Sequence, residues 1–491
     1  MFDKIKQLSK DTAIYGISTM LGRFLNFILV PFYTNIFPPE QYGIISNLYA
    51  VIAIMNIVFI YGLDSAYLKF AESEEYPNKK ENFSTPFLSV LTTSIIFILI
   101  FVLSQHQVNR FLSIPIEYDY LIYYGAGILF FDALAVLPFI YLRLERKTIK
   151  FSTIKILNIF LNIVLNLFLI LVLEMGIEAV FISNLAASIL SLILLSPSII
   201  KRLSFSFNKV LYKRLLKFGL PYLPGGLAGI FIQVIDRPIV EHLTDLSTLG
   251  IYQANYKLGI FMMLYVVMFQ YAWQPFFLQN EKEPNAKEIF AKVLTIFTTI
   301  GSIILIFLSI FIVEIVTTPF FGKTLIGKDY WSGISIVPII LLGYLFNGMY
   351  VNFTAGIYIK EKSMYVPIIM GVGAITNIAA NFILIPIFNI MGAAIATLAS
   401  YFMMAVGFYF AVQKHYPINY EFGKIARIFL AILIVTLSYY LLAELNYLNG
   451  YVKLLLCIAY LFMLVAFRVV TKNELSFLTN KIFRKTGISK L

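Results

Sequence analysis

The sequence predicts an all-α integral membrane protein with about fourteen transmembrane helices and no large soluble domain. Of its 491 residues, 60% are hydrophobic and only 13% are charged, whereas a soluble protein carries about 25% charged residues. Apolar runs of about twenty residues, the length at which a helix crosses a bilayer, recur along the chain. Backbone groups in lipid must form hydrogen bonds within their own segment, so these runs are predicted to be helices.

We number the apolar runs as spans 1 to 14 in chain order. Each run is bounded by charged or turn-forming residues, which mark where a helix leaves the membrane. The predicted limits of the spans are 11–37, 42–66, 84–104, 118–142, 151–173, 176–200, 217–241, 247–279, 289–316, 333–358, 363–386, 390–413, 424–444 and 451–470.

The basic residues predict the orientation of the spans. Thirty of the 38 lysines and arginines lie in the two termini, in loops on the same side of the membrane as the termini, or within three residues of the span ends next to them. Only four lie in the opposite loops or next to them. Cytoplasmic loops carry an excess of Lys and Arg, so both termini are predicted to be cytoplasmic. The other four basic residues fall inside spans, and they are Arg23, Lys155, Arg237 and Lys257.

An internal repeat divides the spans into two halves. Three residues of spans 1 and 2 recur 207 positions later, and an asparagine pair of span 5 recurs 215 positions later in span 11. The matched positions are Pro31, Gly43 and Tyr49 with Pro238, Gly250 and Tyr256, and Asn162 and Asn166 with Asn377 and Asn381. We therefore predict an N-lobe of spans 1–6 (1–205), a C-lobe of spans 7–12 (206–415), and two further helices with a cytoplasmic tail (416–491). Transporters with such repeats bind substrate between the halves, near the membrane midplane.

The composition argues against several classes of protein. A single cysteine, Cys457, cannot form an internal disulfide, and the scattered histidines do not have the spacing of a metal site. The chain contains neither of the glycine-rich motifs that bind nucleotides, so no cofactor is expected. Its net charge of +12 is attributed to cytoplasmic loops rather than to nucleic-acid binding.

Two of the basic residues inside spans are predicted to lie near the middle of the membrane. Arg23 is roughly 18 Å along span 1 from its cytoplasmic end, and Lys257 is roughly 15 Å along span 8 from its outer end. A charge at this depth costs about 2.5–3.5 kcal/mol on insertion scales, so each needs a partner or a hydrated cavity. Either Arg23 pairs with Asp132, at a similar depth in span 4, or it lines a cavity.

The other polar residues inside spans allow structural as well as functional interpretations. Arg237 follows Asp236, precedes Pro238 and has Glu241 four residues later, so an ion pair competes with a functional role. Lys155 and Asp64 lie close to the inner ends of spans 5 and 2, where a side chain can extend to the interface. The asparagine pairs Asn162–Asn166 and Asn377–Asn381 favour hydrogen bonds between helices, with sugar contacts as the alternative. Tyr256, which the repeat relates to Tyr49, is kept with them as a candidate for substrate binding.

Three stretches of the chain resemble the polysaccharide flippases of the multidrug/oligosaccharidyl-lipid/polysaccharide exporter superfamily. Residues 15–46 resemble the first helix and turn of these flippases, 61–70 the end of their second helix, and 218–259 their helix 7–8 region with its Asp-Arg pair. The resemblance implies two six-helix bundles splayed in a V around a central cavity, and transport by alternating access. It also implies that the basic residues of helices 1, 7 and 8, here Arg23, Arg237 and Lys257, face that cavity.

The resemblance also implies a specific function. The expected protein is a transporter and not an enzyme, and it moves undecaprenyl-diphosphate-linked oligosaccharides across the bacterial cytoplasmic membrane. The glycan would be a capsule, O-antigen or teichoic acid repeat unit, made by glycosyltransferases and then used by a polymerase or ligase. A gradient of H⁺ or Na⁺ could drive transport, and the candidate coupling carboxylates are Asp132, Asp236 and Asp64.

Three other functions remain open from the sequence. A lipid II flippase has chemically similar substrates, and a drug or metabolite antiporter of the same superfamily shares the fold. The alternative from another class is a membrane glycosyltransferase or polysaccharide polymerase. Such enzymes need an extramembrane catalytic region, often with paired carboxylates, and the outer stretches 105–117 and 317–332 are short.

Overall fold

A computed structural model describes residues 27–73, 75–319 and 322–469. Within these ranges, 11 helices are long and apolar enough to cross a membrane, and up to 12 if one bent pair counts as a single span. A shorter apolar helix, Gly450–Ala466, corresponds to span 14. The described helices account for spans 2 to 14, and most of span 1 lies outside the described residues. The prediction of an all-α integral membrane protein is confirmed.

The chain forms two compact units. The first comprises 1–260, 319–336 and 364–404. Within it, span 2 packs against span 8, spans 4 and 5 pack against span 6, and span 7 packs against span 11. Its helices are Pro39–Ile60, Leu63–Phe70, Lys79–Leu103, Gln105–Phe111, Ile116–Tyr118, Leu121–Leu144, Thr148–Leu171, Glu178–Arg202, Lys209–Gly219, Tyr222–Val234, Asp236–Leu243, Leu246–Tyr256, Lys257–Gly259, Lys328–Ile336, Tyr365–Phe388 and the larger part of Ile390–His415.

The second unit comprises 261–318, 337–363 and 405–491. Span 9 packs against spans 10, 13 and 14, and aliphatic side chains such as Ile310, Ile428 and Val435 pack with Tyr460 in its core. Its helices are nearly all of Ile260–Asn280, then Ala286–Thr317, Val337–Ile359, Phe422–Glu444 and Gly450–Ala466. The division of the sequence into lobes at 1–205, 206–415 and 416–491 stays a prediction.

The ends of the helices follow from local sequence. Span 2 begins with Pro39 at its first helical position, where the missing N–H of proline costs nothing. It ends at Tyr61 and Gly62, which have φ values of 39° and 79°, and only glycine adopts such a backbone without strain. Asn78 and Asn208 each accept hydrogen bonds from two backbone N–H groups in the first turn of the helix that follows. Such caps satisfy donors that a helix start leaves free.

Span 7 is divided into three shorter helices. Lys209–Gly219 and Tyr222–Val234 are bent by 44° relative to each other, and Asp236–Leu243 follows. Pro221 lies in the bend and Pro238 in the first turn of the third helix. Proline cannot donate a helical hydrogen bond, so it is tolerated at helix starts and not within helices. The proline positions therefore explain why this span is broken.

Spans 2 and 8 cross at positions that the internal repeat relates. A Cβ atom on Gly43 would lie 1.9 Å from the Leu246 carbonyl oxygen, and one on Gly250 would lie 1.9 Å from the Pro39 carbonyl oxygen. Pro39 and Leu246 are separated by 207 positions, as are Gly43 and Gly250. The two helices therefore touch backbone to backbone, and each glycine permits the same contact on its own side.

The second unit contains a buried ion pair. The Lys453 ammonium lies 2.5 Å from the Glu314 carboxylate, and the side chains are 7% and 47% exposed. Lys453 was assigned to an outer loop from the sequence, but it lies in the first turn of Gly450–Ala466. Lys453 is the more buried partner, so the Glu314 carboxylate offsets the free-energy cost of burying its positive charge.

We expect Glu314→Gln to lower the thermal unfolding midpoint of the purified protein, because Lys453 would remain buried without a carboxylate. The expected loss is about 1–3 kcal/mol, below the roughly 3–5 kcal/mol of fully buried pairs, since Glu314 is half exposed. The control is Lys453→Met, which removes the charge and retains an apolar chain of similar length. An equal loss in both variants would argue against a charge effect.

Candidate functional site

Lys257 is the basic span residue whose surroundings are most informative. It opens the short 3₁₀ turn Lys257–Gly259 within span 8, and its side chain is half-buried. Its ammonium lies 5.4 Å from the ring centroid of Tyr42 in span 2. Within residues 27–73, 75–319 and 322–469, it forms no ion pair. A cation in this position is favoured by the face of an aromatic ring and remains available to an anion.

Tyr42, the ring next to Lys257, forms a row with two further tyrosines that were not singled out from the sequence. Tyr42 lies 6.4 Å from Tyr33 and 5.9 Å, edge to face, from Tyr330, measured between ring centroids. The Tyr330 hydroxyl donates a hydrogen bond to the Phe37 carbonyl at 2.7 Å, whereas the buried Tyr42 hydroxyl has no partner among the described residues. We call Tyr33, Tyr42 and Tyr330 the tyrosine row.

The tyrosine row continues to the asparagine pair of span 5. The Tyr33 hydroxyl donates to Asn166 Oδ1 at 2.6 Å, and Asn166 Nδ2 donates to the backbone oxygen and to Oδ1 of Asn162 at 2.9 and 2.8 Å. The pair in span 11 has the same arrangement, because Asn381 Nδ2 donates to the same two atoms of Asn377 at 2.8 and 2.9 Å. The repeat therefore extends to side-chain geometry. Asn166 makes the hydrogen bond between helices that was favoured from sequence.

Asp236 lies deep in the first unit, next to Arg237. Asp236 is 2% exposed, its Oδ2 accepts a 2.6 Å hydrogen bond from the Tyr252 hydroxyl, and its Oδ1 has no hydrogen-bond partner in the described part of the chain. Tyr252 also contacts Tyr256, with 5.6 Å between ring centroids. A buried carboxylate with an unsatisfied oxygen is costly unless it is protonated or binds a cation.

Arg237 does not form the ion pair with Glu241 that its spacing suggested. Across the described ranges, no carboxylate lies within ion-pair distance of Arg237, and its Nε has no hydrogen-bond partner. Glu241 is 4% exposed, and its Oε2 also lacks a partner there. The Arg237 guanidinium instead interacts through its charge with Asp236.

Asp132 and Lys155 lie in a second polar group, which joins spans 4, 5 and 6. The Asp132 carboxylate accepts a hydrogen bond from Ser188 and interacts with the charge of Lys155. The Lys155 ammonium is 4.2 Å from the ring centroid of Phe139. Lys155 is exposed at the protein surface, so its charge can be solvated in the way the sequence suggested. Asp132 therefore has two neighbours among the described residues, whereas Arg23, its alternative partner from the sequence, lies outside them.

Asp64 is separate from these groups. It is half-buried in the first turn of Leu63–Phe70, where the positive end of the helix dipole favours a carboxylate. Most of the other predicted residues fall into three places: Lys257 with the tyrosine row, Asn162 and Asn166; Asp236 with Arg237 and Tyr256; and Asp132 with Lys155. Asn377 and Asn381 form a separate pair in span 11, and Arg23 lies outside the described residues. Residues missed from the sequence are Tyr33, Tyr42, Tyr330 and Tyr252. One usable signal was that Tyr42 precedes the repeat glycine Gly43.

Comparison with known proteins gives consistent results. The family described as polysaccharide biosynthesis protein matches residues 8–281. An uncharacterized membrane protein of Methanocaldococcus jannaschii is 22% identical over 80% of this chain and 83% of its own length.

Solved structures show the fold. The lipid II flippase MurJ, in an inward closed conformation, superposes with a TM-score of 0.72 at 19% identity, covering 92% of this chain and 98% of MurJ. An inward-facing multidrug resistance MATE family transporter of the MOP superfamily gives a TM-score of 0.65 at 14% identity, covering 80% of this chain and 96% of that transporter. The predicted resemblance is confirmed, and the chain is a multi-pass membrane protein with the fold of these solved structures. It belongs to the polysaccharide biosynthesis protein family, whose match extends over more than half of its length.

Proposed function

We propose that the protein is a flippase that moves an undecaprenyl-diphosphate-linked oligosaccharide from the cytoplasmic to the outer leaflet by alternating access. The observation that supports this most directly is Lys257, a half-buried cation without an ion-pair partner among the described residues. A cation in a membrane span is retained against its insertion cost when function requires it. An anionic head group is the ligand that such a cation would bind.

The roles of the residues follow from their chemistry. Lys257 and Arg23, with Arg237 as a third cation, would neutralise the diphosphate, because Arg binds phosphate through two parallel hydrogen bonds and Lys acts as a point charge. The tyrosine row is buried, so its role would be to position the Lys257 ammonium through the face of the Tyr42 ring. Both termini would be cytoplasmic, as the basic residues indicate. No covalent bond is made or broken in this scheme.

The identity of the glycan follows from family resemblance alone. Capsule, O-antigen and teichoic acid repeat units all carry the same lipid diphosphate, and we favour the teichoic acid unit. Glycosyltransferases would supply the substrate, and a polymerase or ligase would consume it on the outer side. Lipid II has the same diphosphate and a different sugar portion, so a lipid II flippase is the second candidate, favoured by the superposition on MurJ.

The test is a flipping assay with purified protein in liposomes. A fluorescent undecaprenyl-diphosphate oligosaccharide is placed in both leaflets, and a membrane-impermeant reductant quenches the outer leaflet. We expect continuous quenching of the inner pool only with the protein present, and much slower quenching of the matching monophosphate lipid. Equal rates for both lipids would contradict a site for the diphosphate. Growth of the glycan on addition of a lipid-linked donor and acceptor would instead indicate a polymerase.

Asp236 is the carboxylate that best fits the coupling of transport to H⁺ or Na⁺. It is almost fully buried and has an unpartnered oxygen, whereas Asp132 and Asp64 are only half-buried. A carboxylate of this kind can take up and release a proton or a cation as its surroundings change.

Asp236→Asn should make flipping insensitive to an imposed H⁺ or Na⁺ gradient, because the amide still accepts the Tyr252 hydrogen bond but has no exchangeable charge. The measurement compares flipping rates in liposomes with and without each gradient. Asp132→Asn and Asp64→Asn are the matched controls, and both should respond like the parent protein. If Asp236→Asn keeps its gradient response, coupling takes place elsewhere.

A further inference from the structure

The segment that joins spans 6 and 7, residues 201–221, is held firmly against the first unit. The Ser204 N–H donates to Ser84 Oγ at 2.7 Å, and the Asn208 N–H donates to Thr85 Oγ1 at 3.2 Å. The helix Lys209–Gly219 then buries Leu211 and Leu215 completely or almost completely. The side chains that this segment leaves exposed are therefore fixed in place by neighbouring contacts.

The exposed side chains in and next to this segment include large apolar residues. Phe205 is 94% exposed and Val210 is 70% exposed. Phe207, Leu220 and Tyr222 are also exposed, at 42%, 45% and 52%. Because the segment connects two membrane spans, it lies at the membrane–water boundary. Aromatic and aliphatic side chains at this level can insert between lipid head groups.

The same segment carries a row of unpaired lysines. Lys209, Lys213 and Lys217 follow one another at intervals of four residues, so they share one helix face, opposite the face that buries Leu211 and Leu215. All three are exposed, as is Lys201. None has an ion pair within the described residues, whereas the neighbouring Arg214 pairs with Glu75 and Arg202 pairs with Glu145.

We propose that this segment binds the head groups of anionic phospholipids, with Phe205 and Val210 inserted at the boundary and the lysine row (Lys209, Lys213 and Lys217) against the phosphates. Charge complementarity selects this partner, because four lysines without carboxylate partners lie beside apolar side chains that need a non-aqueous environment. The proposal concerns the lipid around the protein and does not depend on the transported substrate.

The test measures which lipid surrounds Phe205. A Phe205→Trp variant is reconstituted into vesicles that contain either brominated phosphatidylglycerol or brominated phosphatidylcholine at equal bromine content. Quenching is compared with that of the parent protein, because Trp273 and Trp331 also fluoresce. We expect phosphatidylglycerol to be enriched at this site by about five-fold, the effect of a single lysine at a membrane surface, or by more.

The lysine row is tested in the same assay. Lys209→Gln, Lys213→Gln and Lys217→Gln, combined with Lys201→Gln, should remove the preference for phosphatidylglycerol and leave quenching by both lipids equal. Replacing the exposed Lys323 and Lys328, in the loop between spans 9 and 10, should leave the preference intact. Equal quenching by both lipids in the unmodified lysine background would overturn the proposal. So would an absence of quenching by either lipid, since Phe205 would then face water or a soluble partner.

Discussion

Lys257→Ala should abolish flipping of a lipid-linked oligosaccharide while leaving the protein folded and inserted. Among the described residues, Lys257 has an aromatic neighbour, Tyr42, and no carboxylate partner, so its removal leaves no unpaired anion. A hydrogen bond to a charged group contributes about 1.5–3 kcal/mol, which corresponds to roughly a ten- to hundred-fold loss of affinity. Stability should be unchanged or higher, because an intramembrane charge is removed.

The combination of lost transport and retained stability is what identifies a binding residue. Flipping rates and thermal midpoints are measured for Lys257→Ala, for Lys257→Met and for Lys257→Arg, which keeps the charge and should retain partial transport. Lys453→Met is the matched control, because this lysine already has Glu314 as a partner and should not affect transport per folded molecule. The companion variant Arg23→Ala should resemble Lys257→Ala. Full transport in both would refute a cationic binding site.

The positions of the spans could be predicted because hydropathy is a local property. Span 5 was predicted at 151–173 and is Thr148–Leu171, and span 13 was predicted at 424–444 and is Phe422–Glu444. The thickness of the bilayer fixes the length of each apolar run, so no knowledge of packing was needed.

The contacts of the site could not be predicted, because they depend on how helices are rotated against each other. The chain has 32 tyrosines, and the local signal at Tyr42, its place before the repeat glycine Gly43, does not identify it as the ring beside Lys257. An Arg237–Glu241 pair, one of the two interpretations open from the sequence, has the correct spacing but does not form among the described residues. Asp132 similarly acquires Ser188 and Lys155 from neighbouring spans.

Gly43→Ala and Gly250→Ala should each destabilise the protein and block transport, through the same contact. A methyl group at either position would lie 1.9 Å from a backbone carbonyl oxygen of the facing helix, so spans 2 and 8 must separate. Overpacking of this kind costs about 1–3 kcal/mol and sometimes more. The measurements are the thermal midpoint in detergent and the flipping rate in liposomes.

Gly371→Ala is the matched control for both glycine variants. Gly371 lies within the helix of span 11, and a Cβ atom there would have no atom within 4 Å. The same substitution should therefore stabilise the protein, by about 0.5–1 kcal/mol, since alanine favours a helix over glycine. If Gly43→Ala and Gly250→Ala behave like Gly371→Ala, the close crossing of spans 2 and 8 is not needed for stability or transport.

The double variant distinguishes a shared contact from two independent ones. Each methyl pushes apart the same two helices, and a helix pair already separated by the first can accommodate the second at lower cost. The combined loss of stability should therefore be smaller than the sum of the two single losses, whereas independent sites add to within about 0.3–0.5 kcal/mol. Because the internal repeat relates Gly43 to Gly250 and Pro39 to Leu246, the two single variants should also lose similar amounts. Unequal and additive losses would mean that Gly43 and Gly250 do not share one symmetric contact between spans 2 and 8.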